Sequence, residues 1–368
     1  MVAVCRGFLD DLHTRSLNAL TTSLDSEPWA TVIVPHDYQR LLDELIGVTV
    51  PEAPTPNLEP QAEAPALQLA EDRRVPVCSS TLLALKSTSS YVRFAQALSP
   101  SVPTLAVDCS RFLGELLHVL NSRAYALVLR QGAVHTGALK TITARHLAVV
   151  AASLDVLETL ARALRTSLGR ALTGIDSRLV QEQYSQLIKH LEEHSQQLHD
   201  KFVELMVERA LSIVPRLITG PLPGATAEET TSVVSPVAGL GLDELDKKLL
   251  VLHKTLHGTL SRQHEHSVLV RVLNAWRRVL REHLGSSPVV DEARKAALLR
   301  EARVLDEHCR RVLGLQSAEA EAVALVPIIS SLPVLPAGGL STPSAVTDDP
   351  LHAAQRFFNS ALNWPGKS

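Results

Sequence analysis

The stretch YSQLIKHLEEHSQQLHDKFVELM, residues 184–206, decides the fold. Tyr184, Leu191, Leu198 and Leu205 recur every seven residues, with Leu187, Ile188 and Phe202 beside them. That spacing keeps one apolar seam on one side of a helix. It predicts a long helix from Ile175 to Val214, ended by Pro215, which has no N–H to continue the ladder. A seam of this kind is stable only against other helices.

Composition supports such partners. The chain has 368 residues, 45% hydrophobic and 20% charged, enough for a sizeable core. Aromatic residues are few, with 3 Trp, 4 Tyr and 6 Phe. The core must therefore be Leu, Val and Ala, the residues of helix-on-helix packing. The fold class expected is all-α, as elongated antiparallel helical bundles. Residues 1–49 read as N-terminal helices, with an amphipathic pattern over 4–24. Residues 50–77 contain six prolines and read as a disordered linker. A central bundle at 78–215 follows, with helices predicted at 79–98, 104–130, 144–168 and 175–214. Residues 216–241 read as a flexible linker. A C-terminal bundle at 242–315 is expected from helices at 243–284 and 291–313. A Pro-rich tail, 316–368, ends in a short helix capped by Asp349. No segment alternates convincingly with period two.

Net charge is −3, without the basic excess of a nucleic-acid binder. Residues 140–178 hold six Lys/Arg against three Asp/Glu, and 179–210 the reverse. Antiparallel neighbours would set these faces together. Cys5, Cys78, Cys109 and Cys309 are scattered and read as buried thiols in a reducing compartment. The N-terminus lacks the basic start of a signal peptide. No run of 18 apolar residues occurs. A cytosolic protein, or one peripheral on a cytosolic membrane face, is expected.

Candidate chemistry is sparse. His190, Glu193 and His194 fit His-x-x-Glu-His, a zinc-peptidase pattern with two imidazoles on one helical face and a general base beside them. A third ligand and a pocket would be required, so a helix with one seam histidine is the preferred reading. His253 and His257, followed by His264 and His266, form a second cluster that reads as a polar helix flank or a metal site. Arg271, Arg277, Arg278 and Arg281 around Trp276 read as a solvated face or a lipid-headgroup patch. Phosphate-loop, nucleophile-elbow and dinucleotide patterns are missing. No catalytic residue, metal ligand or cofactor is assigned.

NSRAYALVLRQGAVHTGALKTITARHLA, residues 121–148, is the most specific stretch. Asn121-Ser122-Arg123, Leu127-Val128-Leu129, Gly132-Ala133 and Leu139-Lys140-Thr141-Ile142-Thr143 resemble the C-terminal region of the vacuolar protein sorting fifty-four family, subunits of the Golgi-associated retrograde protein (GARP) tethering complex. Ala138 departs from the Gly expected before Leu139. SLDSEPWATVIVPHDYQRLLDEL (23–45), with Glu27-x-Trp29, and residues 184–206 extend the resemblance, and a weaker similarity runs from Leu245 to Leu284. It spans roughly residues 5–285. The resemblance implies a non-enzymatic helical-rod tether in retrograde transport from endosomes to the trans-Golgi network. It implies the other GARP subunits and endosomal or trans-Golgi membrane components as partners. SNAREs would bind through an N-terminal coiled-coil region that this chain lacks. Two alternatives are a zinc metallohydrolase using His190, Glu193 and His194, and a tether subunit of exocyst type.

Overall fold

A computed structural model describes residues 2–47, 64–70, 73–98, 103–172, 174–219, 240–286, 291–315 and 317–334. Twelve helices and one two-stranded sheet are formed among these residues. They divide into two compact units, Met1–Val203 with Val251–Val268, and Glu204–Leu250 with Leu269–Ser368. The all-α expectation holds.

In the first unit, α1 (Val2–Asp25) packs on α3 (Ser79–Leu98) and α4 (Pro103–Val128). Helix α2 (His36–Ile46) packs on α3 and α6 (Ala144–Ala171). The expected separate segment 1–49 is therefore part of this unit. Its junction with α3 is made by Glu27. The buried Glu27 Oε2 accepts from Ser80 N at 2.8 Å, Ser80 Oγ at 2.5 Å and Ser79 Oγ at 2.7 Å. The first N–H groups of a helix have no partner within it, and a carboxylate there also suits the helix dipole. Trp29, two residues on, is buried and takes φ of 50°, so the chain turns sharply after the cap.

The expected linker 50–77 is corrected over its second half. Leu67–Ala70 (β1) and Arg73–Val75 (β2) form an antiparallel hairpin, and Val34 bridges Ala64. Leu67, Val75 and Val77 sit in one core with Leu42, Leu85, Val156 and Leu160. Gln39 replaces a missing strand neighbour: its Nε2 donates to Gln68 O at 3.0 Å and its Oε1 accepts from Gln68 N at 2.8 Å. The proline-rich remainder, 48–63, lies outside the described residues.

Helix α7 runs from Gly174 to Thr219, past the predicted stop at Pro215. Thr219 Oγ1 donates to Pro215 O. The linker expected at 216–241 thus begins as helix, and 220–239 lie outside the described residues. Tyr184, Leu191, Leu198 and Phe202 are buried as the seam requires. Opposite-charge pairing also appears, since Arg162 Nη2 of α6 lies 2.5 Å from Glu192 Oε1 of α7. The stretch 121–148 is structural. Asn121, Leu127 and Val128 are buried, Arg123 pairs with Asp25, and α5 (Gly132–His135) makes the bend. Thr143 then caps α6 in a reciprocal box with His146.

The helix expected at 243–284 is two helices, α8 (Leu242–Leu256) and α9 (Arg262–Ser286). Gly258 takes φ of 72° in the break, a conformation that favours glycine. Ser261 restarts the ladder by accepting from His264 N at 3.3 Å.

In the second unit, Trp276 is fully buried and its Nε1 donates to Met206 O at 2.8 Å. It is a core residue, so the suggested headgroup patch loses its aromatic member. Helix α10 (Glu292–Leu313) packs on α12 (Val326–Ser330), with α11 (Ser317–Val323) between them in sequence. Asp306 accepts from Leu325 N and Val326 N at 2.9 and 3.0 Å. The expected tail is therefore ordered through Val334, because Leu325, Ile328, Ile329 and Leu332 are buried. Residues 335–368, with the Asp349 cap, lie outside the described residues. Cys78, Cys109 and Cys309 are buried free thiols, and burial pushes Cys109 and Cys309 up to about 12.

Leu198→Asp should destabilise the first unit by roughly 3–5 kcal/mol, the cost of an unpaired buried charge. Gln197→Asp, on the exposed side of the same helix, should change stability by about 0.5 kcal/mol or less. Thermal denaturation monitored by circular dichroism checks both. Equal melting temperatures for the two variants would show that the seam is not packed.

Candidate functional site

The first unit carries a half-open polar cleft of about 1110 Å³. Its walls come from β2, α6, α7 and the turn between α8 and α9. Asp155 lies at its base, 4% exposed. Arg73 Nη2 donates to Asp155 Oδ2 at 2.5 Å, and His264 Nδ1 stands 3.9 Å from Oδ1. The His199 and His264 rings are 4.9 Å apart. Burial pushes the Asp155 carboxyl above the usual carboxylate range, while Arg73 and His264 pull it back. Arg73 Nε and His264 Nδ1 are buried with no hydrogen-bond partner among the described residues. The cavity wall thus carries a buried carboxyl paired with Arg73, suited to polar recognition.

At the margin, the α8–α9 turn brings three ligand-type side chains together. His253 Nε2 lies 3.1 Å from Glu265 Oε1, and His257 Nδ1 lies 3.3 Å from the same oxygen. His253 and His257 are one helical turn apart. Glu265 reaches them because its N–H, bonded to Ser261 O, opens α9 immediately after the break. Sequence reasoning found the two histidines and grouped them with His264 and His266. The structure replaces those two by Glu265 and turns His264 toward Asp155. The available signal was Gly258-Thr-Leu-Ser261, a helix stop followed by a helix start.

The His-x-x-Glu-His pattern does not assemble in this way. His194 Nδ1 lies 2.8 Å from Asn121 Oδ1, and its ring stacks on Tyr125 at 4.2 Å. His190 lies against His118, with ring centroids 5.9 Å apart. Glu193 makes an exposed pairing with Lys189 at 3.9 Å. Among the described residues, the one group of three potential ligands within mutual reach is His253, His257 and Glu265. His190 and His194 instead join α7 to α4. No helix among the described residues is long and apolar enough to cross a membrane.

Comparison with known proteins agrees with this scaffold. The profile of the family described as Vps54-like protein matches residues 72–209, which run from β2 into α7. The chain is 24% identical to vacuolar protein sorting-associated protein 54 of Homo sapiens over 287 residues, 77% of this chain and 27% of that protein. It is 23% identical to the protein of the same name from Drosophila melanogaster, over 74% of this chain and 26% of that protein. The Arabidopsis thaliana relative, vacuolar protein sorting-associated protein 54, chloroplastic, is 25% identical over 52% of this chain. The chain spans about a quarter of the length of the Homo sapiens and Drosophila melanogaster relatives.

Burial, with the neighbouring His190 adding to it, pushes the His194 imidazole below the ordinary histidine value. The folded state then favours the neutral ring. This contribution to stability is fully present above the unfolded value, about 6.5, and is lost as pH falls through the folded one. The melting-temperature advantage of the wild type over His194→Gln should therefore shrink between pH 7.5 and pH 5.5. A difference that stays constant across that range would contradict the assignment.

Proposed function

From its similarity to the Vps54-like family over residues 72–209, we propose that the chain is a member of that family and acts by association, as the C-terminal part of a vesicle-tethering subunit. The proposed process is retrograde transport from endosomes to the trans-Golgi network. The proposed partners are the other GARP subunits and membrane components on the cytosolic face of those compartments. Substrate turnover has no part in this reading. One observation carries it: the family match runs from β2 into α7 and includes the α3 and α6 residues Leu82, Leu85, Ala152, Val156 and Leu160 of the buried core. The most specific stretch of sequence, 121–148, lies inside that match and fixes a bend and a helix cap.

Polar contacts between helices support a binding scaffold over an enzyme. Asn121, His194 and Arg123, all within the family-like stretches, are spent on joining helices. Tethers gain grip through several weak contacts acting together. A single segment should therefore bind each partner weakly. The test is affinity capture of the tagged chain from cells, after mild crosslinking to retain weak contacts, with quantitative mass spectrometry. GARP subunits enriched at least tenfold over a tag-only control are expected. Their absence, with the chain folded and expressed, would overturn the assignment.

A further inference from the structure

We propose that His253, His257 and Glu265 form a zinc site at the α8–α9 turn. The inference stands on the geometry of this turn and is independent of the proposed trafficking role. Two ligand atoms about 2.1 Å from a tetrahedral zinc ion lie about 3.4 Å apart. The two imidazole nitrogens lie 3.1 and 3.3 Å from Glu265 Oε1, and all three ligand atoms fall within 4.8 Å of one another. Only small side-chain rotations are needed to place them around one ion.

The electrostatics point the same way. Glu265 is 7% exposed, yet its ion-pair partners among the described residues are these two histidines. Among the described residues no Lys or Arg is paired with it. A buried carboxylate is costly without a positive partner. A divalent ion supplies it while using both nitrogens. Two imidazoles and one carboxylate are a donor set that suits zinc.

The turn fixes the ligands. His253 and His257 are held one turn apart by the helical hydrogen bond from His257 N to His253 O, at 2.7 Å. Leu256 and Leu260, both buried, anchor the break between the helices. The His257 side chain is 65% exposed, and His257 and Glu265 both line the cavity. An ion therefore has an approach path, and a fourth position faces solvent. With three protein ligands the site closes the turn as a clip. His257 Nδ1 and Glu265 Oε1 are already within hydrogen-bond distance, at 3.3 Å.

The experiment uses the full chain, stripped with chelator and titrated with zinc, and with cobalt for its visible spectrum. Isothermal titration should give one zinc per chain with a micromolar or tighter Kd. The cobalt form should show the intense bands of tetrahedral coordination. His257→Ala, at an exposed side chain, should keep the circular dichroism of the wild type and weaken zinc binding at least tenfold. Glu265→Gln and His253→Ala should do the same, whereas His135→Ala, at an exposed histidine elsewhere, should not. The proposal is overturned if zinc fails to saturate one site. It is equally overturned if folded His257→Ala loses less than tenfold in affinity, because the metal would then sit on other histidines.

Discussion

Carboxylates that accept the backbone N–H groups at helix starts hold this molecule in register. Glu27 closes the start of α3. Asp291 caps α10 through Arg294 N at 2.6 Å, and Asp306 caps the start of α12. Glu301 accepts from Leu240 N and Leu242 N at 2.6 and 3.1 Å, where α8 begins. A core of Leu, Val and Ala fills space well but tolerates sliding of one helix on another. A charge-assisted hydrogen bond to a helix start is directional and contributes roughly 1.5–3 kcal/mol. It therefore selects one arrangement from the many that apolar seams permit. Arg73 and Asp155 play the same part between the hairpin and α6.

The helical architecture was legible because the seam residues alternate at helical spacing and become the buried face. Tyr184, Leu191 and Leu198 show this directly. Other features were hidden for physical reasons. Leu67, Val75 and Val77 are too few to signal strands among prolines and glutamines, and they become ordered only because α2, α3 and α6 cover them. Pro215 reads as a stop, yet losing one N–H does not end a helix whose flanks are packed: Ile213, Val214 and Leu217 are all buried. The break at Gly258 carries a left-handed residue and a capping serine, so it was readable in the local sequence. The continuing apolar stripe through 249–284 masked it.

The site divides in the same way. His253 and His257 share a helical face by their spacing alone, whereas Glu265 joins them only through the geometry of a turn. The cavity floor brings Arg73 and Asp155 together across 82 residues of chain, a proximity that no local pattern encodes. His190 and His194 show the converse. Their spacing is that of a zinc peptidase, but Asn121, Tyr125 and His118 occupy the imidazoles as helix contacts. Motif spacing places two side chains on one face, and the neighbouring element decides what they do.

Functionally, a scaffold whose specific residues are spent on helix junctions is suited to presenting surfaces at fixed positions. The similarity to the Vps54-like family covers several of those junctions. The most direct measurement of the central claim is the distribution of the full tagged chain in living cells, scored against trans-Golgi and endosomal markers. The account predicts puncta that coincide with those markers above the level of the tag alone. A diffuse signal indistinguishable from the tag, from a chain shown to be folded, would contradict it.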